Sequence, residues 1–345
     1  MMDFQFFQEF LSIDSTSGKE RKVAEWLAER LPGMFPVANR PALRVDEVGD
    51  GTLNLLLTWG TPRIVFCSHM DTVPPYIPPT FADDVIKGRG SCDAKGQVFA
   101  IVETCKKLAE EGKTDFGMLL LAGEETGSWG AKAFAKTDFR AEYLVVCEPT
   151  ENCMVSASKG TKSFDLKFTG EAFHSGYPQF GVSAVDLFVD FVNRLKAKDF
   201  GMDPVLGETT WNIGLLHSDN PQNILSPELT CRIYFRTTFI SDEAVSKWME
   251  EASSVIPGLT RNLTVTARGG DTPARYWTVE DLPSKPAAFG SDAPHLTNFT
   301  HKAICGPGTI AVAHRDDEHV LVADLATAVE QYLEIEEWIY GKGQI

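Results

Sequence analysis

Apolar segments of strand length alternate with helical segments in the first half of the chain, and this alternation constrains the fold most strongly. Three of these segments are RIVFCS at 63–68, FGMLLLAG at 116–123 and EYLVVC at 142–147. A helical segment, AKGQVFAIVETCKKLAEEG at 94–112, separates the first two. Strands that are apolar on both faces are typical of a parallel sheet covered by helices. The pattern predicts an α/β domain with a mostly parallel sheet.

The pattern changes near Lys159, where polar and apolar residues begin to alternate as in a half-exposed strand. A strand, a helix, two strands, a helix and a strand are predicted at 161–173, 182–198, 209–218, 228–238, 241–256 and 262–270. This β-α-β-β-α-β order is that of a ferredoxin-like sandwich. A strand at 302–306 and a helix at 323–340 follow, and we expect this helix to return to the first sheet. The second domain would then be an insertion in the first.

The N-terminal region, 4–31, is predicted to form two helices separated by the turn DSTSGKE. Ser17 or Asp14 is expected to cap the second helix, and Ser241 the helix that starts at 241. Acidic residues stand where a signal peptide needs basic ones, and no apolar segment is long enough to span a bilayer. We therefore expect a cytoplasmic protein without a membrane partner.

The charge and the cysteines exclude several classes of protein. The formal net charge is −16, so the basic footprint of a nucleic-acid-binding protein is missing. The seven cysteines form no CxxC pair, which indicates neither a zinc knuckle nor a disulfide framework. Reduced thiols fit a cytosolic chain.

Acids and one histidine follow the predicted strands, where a parallel α/β sheet binds its ligands. These residues are His69 and Asp71, Asp93 in the glycine-rich loop GRGSCDAKG, Glu124 and Glu125, and Glu148. Carboxylates gathered in one cleft repel one another unless a cation is bound. Imidazole with carboxylates suits zinc and its first-row neighbours. Each motif alone is a common surface turn, but together they predict a metal site.

The spacing within the motifs suggests different roles. Asp71 lies two residues after His69, on the same face of an extended chain, and can therefore orient its imidazole. Glu124 and Glu125 are adjacent and point apart, so they are not expected to bind one metal equally. One can be a ligand while the other is the general base.

Five segments, in order, resemble the signatures of the aminoacylase and acetylornithine deacetylase family, which also holds succinyl-diaminopimelate desuccinylase and glutamate carboxypeptidases. They are SHMDTVPP, GRGSCDAKG, GEETGSWGA, CEPT and CGPGTIAVAHRDDE. The resemblance implies a di-zinc metallopeptidase fold with an inserted ferredoxin-like lid that dimerises. The implied domains are a catalytic metal-binding domain at 1–158 and 271–345, and a lid and dimerisation domain at 159–270.

The resemblance assigns the metal ligands. His69 and Glu148 resemble the ligands of one metal, Asp93 the carboxylate that bridges both metals, and Asp71 the acid that supports the histidine. Two Zn²⁺ per subunit are implied, with Co²⁺ or Mn²⁺ as possible substitutes.

The second metal and the base follow from the same resemblance. Glu125 and His314 resemble the ligands of the second metal, and Glu124 resembles the general base. His319 lies outside the matched position and is interpreted as a surface residue.

Further residues resemble the family's substrate-binding groups. His174, in GEAFHSGYP, resembles the lid histidine that reaches the active site of the neighbouring subunit. Asn223 and Arg236 match the lid residues that bind the substrate carboxylate, and Ser291 and Asp292 lie in GSDAPHL, which matches the segment that shapes the pocket.

The chain departs from the family pattern in the lid. The family's NVIP is NILS here, with the proline one position later at Pro227, and Tyr234 replaces the usual acid two residues before Arg236. The stretch before GSDAPHL is also unusually short. His217, His295 and His301 match no family position.

The resemblance implies an amidohydrolase that removes an acyl group from an N-acyl amino acid by attack of a metal-activated water, with Glu124 as base. A dipeptidase or carboxypeptidase of the same family is the alternative, with a short peptide as substrate. From another class, the chain could be a dimeric binding protein without catalysis, although no ligand or base is lost. A homodimer through the lid is expected.

Overall fold

The computed structural model describes residues 2–255 and 259–341, and it divides into two compact units. Unit 1 comprises Met1–Ser156, Tyr276–Lys285 and Ser291–Ile345, and unit 2 comprises Ala157–Arg275 and Pro286–Gly290. The insertion expected at 159–270 lies within the long segment of unit 2.

The α-helices are α1 (Phe4–Leu11), α2 (Arg21–Arg30), α3 (Lys95–Glu110), α4 (Trp129–Phe134), α5 (Ala184–Ala197), α6 (Asp242–Val255) and α7 (Val322–Gly341). Short 3₁₀ turns occupy Leu31–Met34, Val37–Asn39, Gly49–Gly51 and Pro178–Phe180. The expected end of the helix from 241, Ile256, lies outside the described residues.

The strands are β1 (Ala42–Val48), β2 (Thr52–Trp59), β3 (Ile64–His69), β4 (Thr80–Phe81), β5 (Val85–Lys87), β6 (Phe116–Leu121), β7 (Ala141–Val146), β8 (Met154–Ser158), β9 (Gly160–Thr169), β10 (Met202–Asp203), β11 (Gly207–Glu208), β12 (Thr210–His217), β13 (Glu228–Thr237), β14 (Leu263–Gly269), β15 (Ala274–Arg275), β16 (Ser284–Ala287), β17 (Phe299–Ile304) and β18 (His319–Leu321).

Unit 1 contains a six-stranded sheet in the order β1-β2-β6-β3-β7-β17. β3 runs parallel to β6 and β7, and β17 runs parallel to β7. β2 is antiparallel to β1 and β6. The predicted α/β class with a mostly parallel sheet is confirmed. β1 was not predicted because its sequence, ALRVDEV, is charged and half-exposed at the edge of the sheet.

Apolar packing fixes the strands that lead to the site. Every residue of β3 and β6 is buried, as expected for strands covered on both faces. α3 and α7 pack against each other, so the C-terminal helix does return to the first sheet. Phe7 of α1 stacks on Phe99 of α3 with 4.5 Å between ring centroids.

Unit 2 contains a four-stranded antiparallel sheet in the order β12-β13-β9-β14. With α5 and α6, its elements follow one another along the chain as β-α-β-β-α-β, the order expected from the sequence. Burial alternates along β13, and its inward side chains join those of both helices in one apolar core. The period-two pattern therefore reflects a sheet covered on one face.

The expected cap of α2 is wrong. Glu20 occupies the N-cap position without a side-chain capping bond. Asp14 instead accepts hydrogen bonds from the amide and hydroxyl of Thr16, and the Ser17 hydroxyl donates to Asp71. Asp14 therefore stabilises the turn and Ser17 contacts the strand ends, and neither side chain caps α2.

Across residues 2–255 and 259–341, every helix is too short or too polar to cross a lipid bilayer.

Candidate metal centre

The strand ends of unit 1 carry the candidate ligands. His69 is the last residue of β3, Glu124 and Glu125 follow β6, and Glu148 follows β7. Gly123 turns the chain after β6 with φ of 68°. A Cβ there would lie 2.0 Å from Trp129, so a side chain at this position would disturb the turn that carries the glutamate pair.

One group of potential ligands is buried and comprises His69, Asp93 and Glu148, whose ligand atoms lie within 4.8 Å of one another. The His69 Nε2 atom is 3.2 Å from Asp93 Oδ1. The side chain of His69 is 1% exposed. Glu148 is also buried, and its Oε1 atom has no hydrogen-bond partner among the described residues.

A second group comprises Asp93, Glu125 and His314. The His314 Nε2 atom lies 3.0 Å from Glu125 Oε1 and 3.3 Å from Asp93 Oδ2. The His314 side chain is 50% exposed, and its backbone has φ of 64°. Asp93 belongs to both groups, with one oxygen toward each histidine.

Glu124 and Glu125 occupy different positions. Both belong to a third group with His69. Glu125 also belongs to the group that contains His314, whereas Glu124 does not. The pair is therefore unequal in this structure, and Glu125 is the glutamate beside the second histidine.

Asp71 connects His69 to the glutamate turn. Its Oδ1 atom lies 3.4 Å from His69 Nδ1 and accepts a 3.1 Å hydrogen bond from the Glu124 amide. Its Oδ2 atom accepts hydrogen bonds from the Glu125 amide at 3.2 Å and the Ser17 hydroxyl at 2.8 Å. His69 Nδ1 lies closer still to the backbone carbonyl of Asp71, at 3.0 Å. Asp71 therefore positions the imidazole through its main chain as well as its side chain, and its carboxylate fixes the turn.

The carboxyl groups of the site differ in pKa. Burial, reinforced by neighbouring carboxylates such as Asp292, raises the pKa of Glu124 well above its usual value, and Glu148 behaves in the same way. Burial would also raise the pKa of Asp93, but hydrogen bonds with His314 and His69 lower it. A bound cation would favour the ionised forms of these acids.

Both imidazoles have a raised pKa in the metal-free protein. Hydrogen bonds with Asp93 and Glu125 raise the pKa of His314 to about 10. Burial would lower the pKa of His69, but Asp71 and Asp93 raise it well above its usual value. A bound dication would replace these protons as the positive charge.

The residues present fit a first-row dication. The donor atoms are imidazole nitrogens and carboxylate oxygens, which suit zinc, cobalt and manganese. The Glu148 oxygen without a partner is buried beside His69 and Asp93, where a cation would satisfy it. Asp93, with its two oxygens directed to different histidines, could serve two ions.

Asp292 also lies in this environment. It is 1% exposed, and its Oδ1 atom has no hydrogen-bond partner within the part of the chain that the structure describes. Burial raises its pKa to about 6, while the nearby His69 opposes that change. The neighbouring Ser291 is buried too, and its hydroxyl accepts a hydrogen bond from the Ala293 amide.

The other predicted site residues belong to unit 2. His174 and Asn223 are exposed, and the Asn223 carbonyl accepts a hydrogen bond from the Ser175 amide, next to His174. The His174 Nδ1 atom accepts a hydrogen bond from the Gly176 amide. The guanidinium of Arg236 stacks over the ring of Tyr234, 5.0 Å from its centroid.

None of the three ligand groups formed by the described residues includes His319, His301 or His217. His319 begins β18, and its Nδ1 atom contacts the Asp317 carbonyl. His301 stacks on Tyr143 in unit 1, and His217 ends β12 in unit 2.

Three residues of the site's surroundings were not predicted. Ser17 was interpreted as a helix cap, whereas Arg89 and Glu318 were not singled out. Arg89 and Glu318 form a buried ion pair beside the Asp93 loop. Of these three residues, only Arg89 carried a sequence signal, because a long charged side chain stands there among the small residues of GRGSCDAKG.

The fold and the ligand groups define the class of a metal-dependent hydrolase. Residues 65–336 match the model of Peptidase family M20/M25/M40. This match covers most of the chain, so the protein belongs to that family, and it is a metallopeptidase-type hydrolase. The resemblance inferred from the five sequence segments is thereby confirmed.

A relative agrees with this assignment, and two solved structures share the fold. A probable carboxypeptidase from Aspergillus terreus is 31% identical, and the alignment covers 96% of this chain and 85% of that protein. A tripeptidase from Staphylococcus aureus has a similar fold, with a TM-score of 0.80, 21% identity and 96% of each chain covered. A metallo-carboxypeptidase from Sulfolobus solfataricus aligns with a TM-score of 0.73, 15% identity, and 95% and 97% coverage of the two chains.

Proposed function

We propose that the protein hydrolyses the amide bond of an N-acyl amino acid and releases the free amino acid. The observation that carries this proposal is the pair of ligand groups that share Asp93, with Glu124 beside them. Such an arrangement joins ligands for two cations to a carboxylate that can move a proton.

Two zinc ions per subunit are proposed. His69 and Glu148 would hold one, Glu125 and His314 the other, and Asp93 both. Cobalt or manganese would suit the same donors. When bound, the dications supply Lewis acidity for the scissile carbonyl and lower the pKa of water.

Glu124 is proposed to move the proton. Its surroundings keep its pKa high for a carboxylate, which favours a group that must accept a proton from water and release it again to the leaving amine. Asp71 would orient His69 and, through the two amide hydrogen bonds, the turn that carries Glu124.

Arg236 and Asn223 are proposed to bind the carboxylate of the substrate, with Ser291 and Asp292 shaping the pocket. The planar fork of an arginine meets a carboxylate at two points. Because Arg236 stacks on Tyr234, its N–H groups stay available while the ring restrains the plane. A substrate would then need a free carboxylate next to the amide bond that is cleaved.

A carboxypeptidase acting on short peptides is the second candidate, because the similar Aspergillus terreus protein is named a probable carboxypeptidase. A dipeptidase is a special case of the same reaction. All three activities release an amino acid with a free carboxylate and differ in the group on the other side of the amide.

A matched substrate panel separates these possibilities. N-acetyl amino acids, dipeptides and N-acetylated dipeptides would be assayed with zinc, cobalt and manganese, each beside its C-terminal carboxamide. We expect the wild type to cleave the carboxamides poorly. The Arg236→Met variant should lose this preference for substrates with a free carboxylate. Rapid turnover of dipeptides with no cleavage of N-acetyl amino acids would replace the deacylase with a peptidase.

His174 is proposed to stabilise the oxyanion formed on the substrate in the active site of a second subunit, within a homodimer formed through unit 2. Unit 2 carries exposed apolar residues that suit an interface: Leu215 and Leu216 of the edge strand β12 are 71% and 55% exposed, and Val189 of α5 is 46% exposed. Unpaired apolar strand edges tend to associate. Sedimentation of the wild type and of Leu215→Glu would test the dimer.

Complementation tests the trans arrangement. His174→Ala and Glu124→Ala subunits, each inactive alone, would be mixed and allowed to exchange. A heterodimer would contain one intact site, so activity should partly return. Proven exchange without recovery would refute the trans role, and a strictly monomeric protein would refute the dimer.

The cytoplasmic location is also part of this proposal. All seven cysteines are free, and six of them are buried, which suits a reducing compartment. Fractionation of the native protein would test it.

A further inference from the structure

A buried ion pair lies next to the candidate metal centre in unit 1. Arg89 Nη1 is 2.5 Å from Glu318 Oε2, and the two side chains are 1% and 0% exposed. Charged side chains are almost never fully buried unless they are paired. The contacts of this pair extend into the segments that carry the ligands.

Glu318 binds the backbone of the loop that ends at Asp93. Its Oε1 atom accepts hydrogen bonds from the amides of Gly90 at 2.9 Å, Cys92 at 3.1 Å and Asp93 at 3.0 Å. Three donors on one carboxylate oxygen fix the path of a short loop, because each charge-assisted bond is directional. The amide of Asp93 is thereby held directly.

Arg89 extends the connection to two other segments. Its Nε atom donates to the Pro75 carbonyl, in the segment that follows His69, and Nη1 also donates to the Arg315 carbonyl, next to His314. The pair therefore contacts the backbone near three candidate ligands that lie far apart in the sequence.

We propose that the Arg89–Glu318 pair is a positioning device for the metal centre, which holds the Asp93 loop against the segments of His69 and His314. The inference rests on the metal-binding part of the proposed function and is independent of the substrate. Because Asp93 is shared by both ligand groups, an error in its position would affect both ions at once.

The test is zinc affinity of chelator-treated protein, measured by competition with a chromophoric chelator and Zn²⁺ alone. In Glu318→Gln, an amide NH₂ would face the N–H donors of Arg89, so the pair and the loop geometry are disturbed. We expect affinity to fall by about 10-fold to 100-fold. Saturating zinc should restore most of kcat.

Asp317→Asn is the matched control. It changes a neighbouring carboxylate to an amide in the same segment, but its ion pair with Arg315 is about two-thirds exposed. This variant should keep wild-type zinc affinity. An equal loss in both variants would overturn the proposal, because a general charge effect would then suffice.

Two further results would also overturn it. Glu318→Gln could lower the melting temperature of the metal-free protein while leaving zinc affinity unchanged, which would show a merely structural role. If Glu318→Gln does not fold, Arg89→Lys decides, since lysine keeps the charge but lacks the fork that reaches three acceptors; unchanged affinity there would refute the proposal. Absence of zinc binding by the wild type would instead refute the metal centre itself.

Discussion

The two ligand groups of unit 1 share Asp93 but differ in their surroundings. His69 is 1% exposed, ends the buried strand β3, and is supported by Asp71, whose carboxylate accepts three hydrogen bonds from other groups. His314 is 50% exposed and lies in a loop with a left-handed backbone. We refer to the groups as the buried group (His69, Asp93, Glu148) and the open group (Asp93, Glu125, His314).

The comparison suggests that the two groups differ in how firmly they would hold a metal ion and in how accessible that ion would be to solvent. Ligands whose orientation is fixed by packing and by hydrogen bonds lose little freedom when a metal binds. A half-exposed ligand such as His314 is less restrained, and an ion held there would be more accessible to solvent. We therefore expect the buried group to keep its ion more firmly and the open group to exchange with solvent.

The largest expected effect concerns Glu124, which lies outside the open group. Glu124→Gln should reduce kcat by about 10²-fold to 10⁴-fold, because proton transfer is lost while the ligands remain. Glu125→Gln is the matched control and should lose metal from the open group. Kinetics together with metal analysis check both, and near-normal turnover of Glu124→Gln would show that another group is the base.

The second prediction separates the two groups by metal content. His314→Ala should keep about one zinc per subunit instead of two, because only the open group loses its imidazole. His319→Ala should keep both, because His319 is outside the ligand groups. Metal analysis after gel filtration measures this, and loss of metal in His319→Ala alone would reverse the assignment.

The third prediction concerns the support of the buried group. Asp71→Asn should weaken zinc binding or activity by about 10-fold to 100-fold, because the glutamate turn, and in part the orientation of His69, depends on this carboxylate. Ser17→Ala removes one of its hydrogen bonds and should have a smaller effect in the same direction. Equal effects of the two changes would contradict the central role of Asp71.

The smallest effect should appear in the metal-free protein as a function of pH. The pKa of His314 is raised from 6.5 to about 10 by Asp93 and Glu125. Its stabilising contribution is therefore fully present below about pH 6.5 and is lost as the pH rises toward 10. Because half of the side chain is exposed, the contribution should stay below about 1 kcal/mol.

Thermal unfolding of chelator-treated protein at several pH values measures this contribution. The loss of stability with rising pH should be smaller in His314→Ala than in the wild type. Identical slopes would show that Asp93 and Glu125 do not raise the pKa of the His314 imidazole.

The sequence predicted the regular elements in which apolar residues recur because the element is buried. The apolar strands before His69, Glu124 and Glu148 predicted the sheet and the edge at which these side chains lie, because burial on both faces requires such sequences. The charged edge strand β1 has no such requirement, and its seven residues resemble a loop.

Contacts between distant segments could not be predicted from one sequence. Ser17 has the composition of a helix cap, but its hydroxyl contacts Asp71, 54 positions away. Glu318 looks like one acid in a charged run, RDDE, although it is buried while Asp317 is exposed. Whether such a polar residue is buried, and what it contacts, depends on which loops come together in the folded protein.

The order of the ligands along the chain has a consequence for biosynthesis. All members of the buried group have been translated once residue 148 is added, whereas His314 follows the long segment of unit 2. β17, the neighbour of β7 in the sheet, also comes after that segment. During translation, the sheet of unit 1 therefore cannot be completed until the long segment of unit 2 has been synthesised. His314 is the last residue of the candidate centre to be added to the chain.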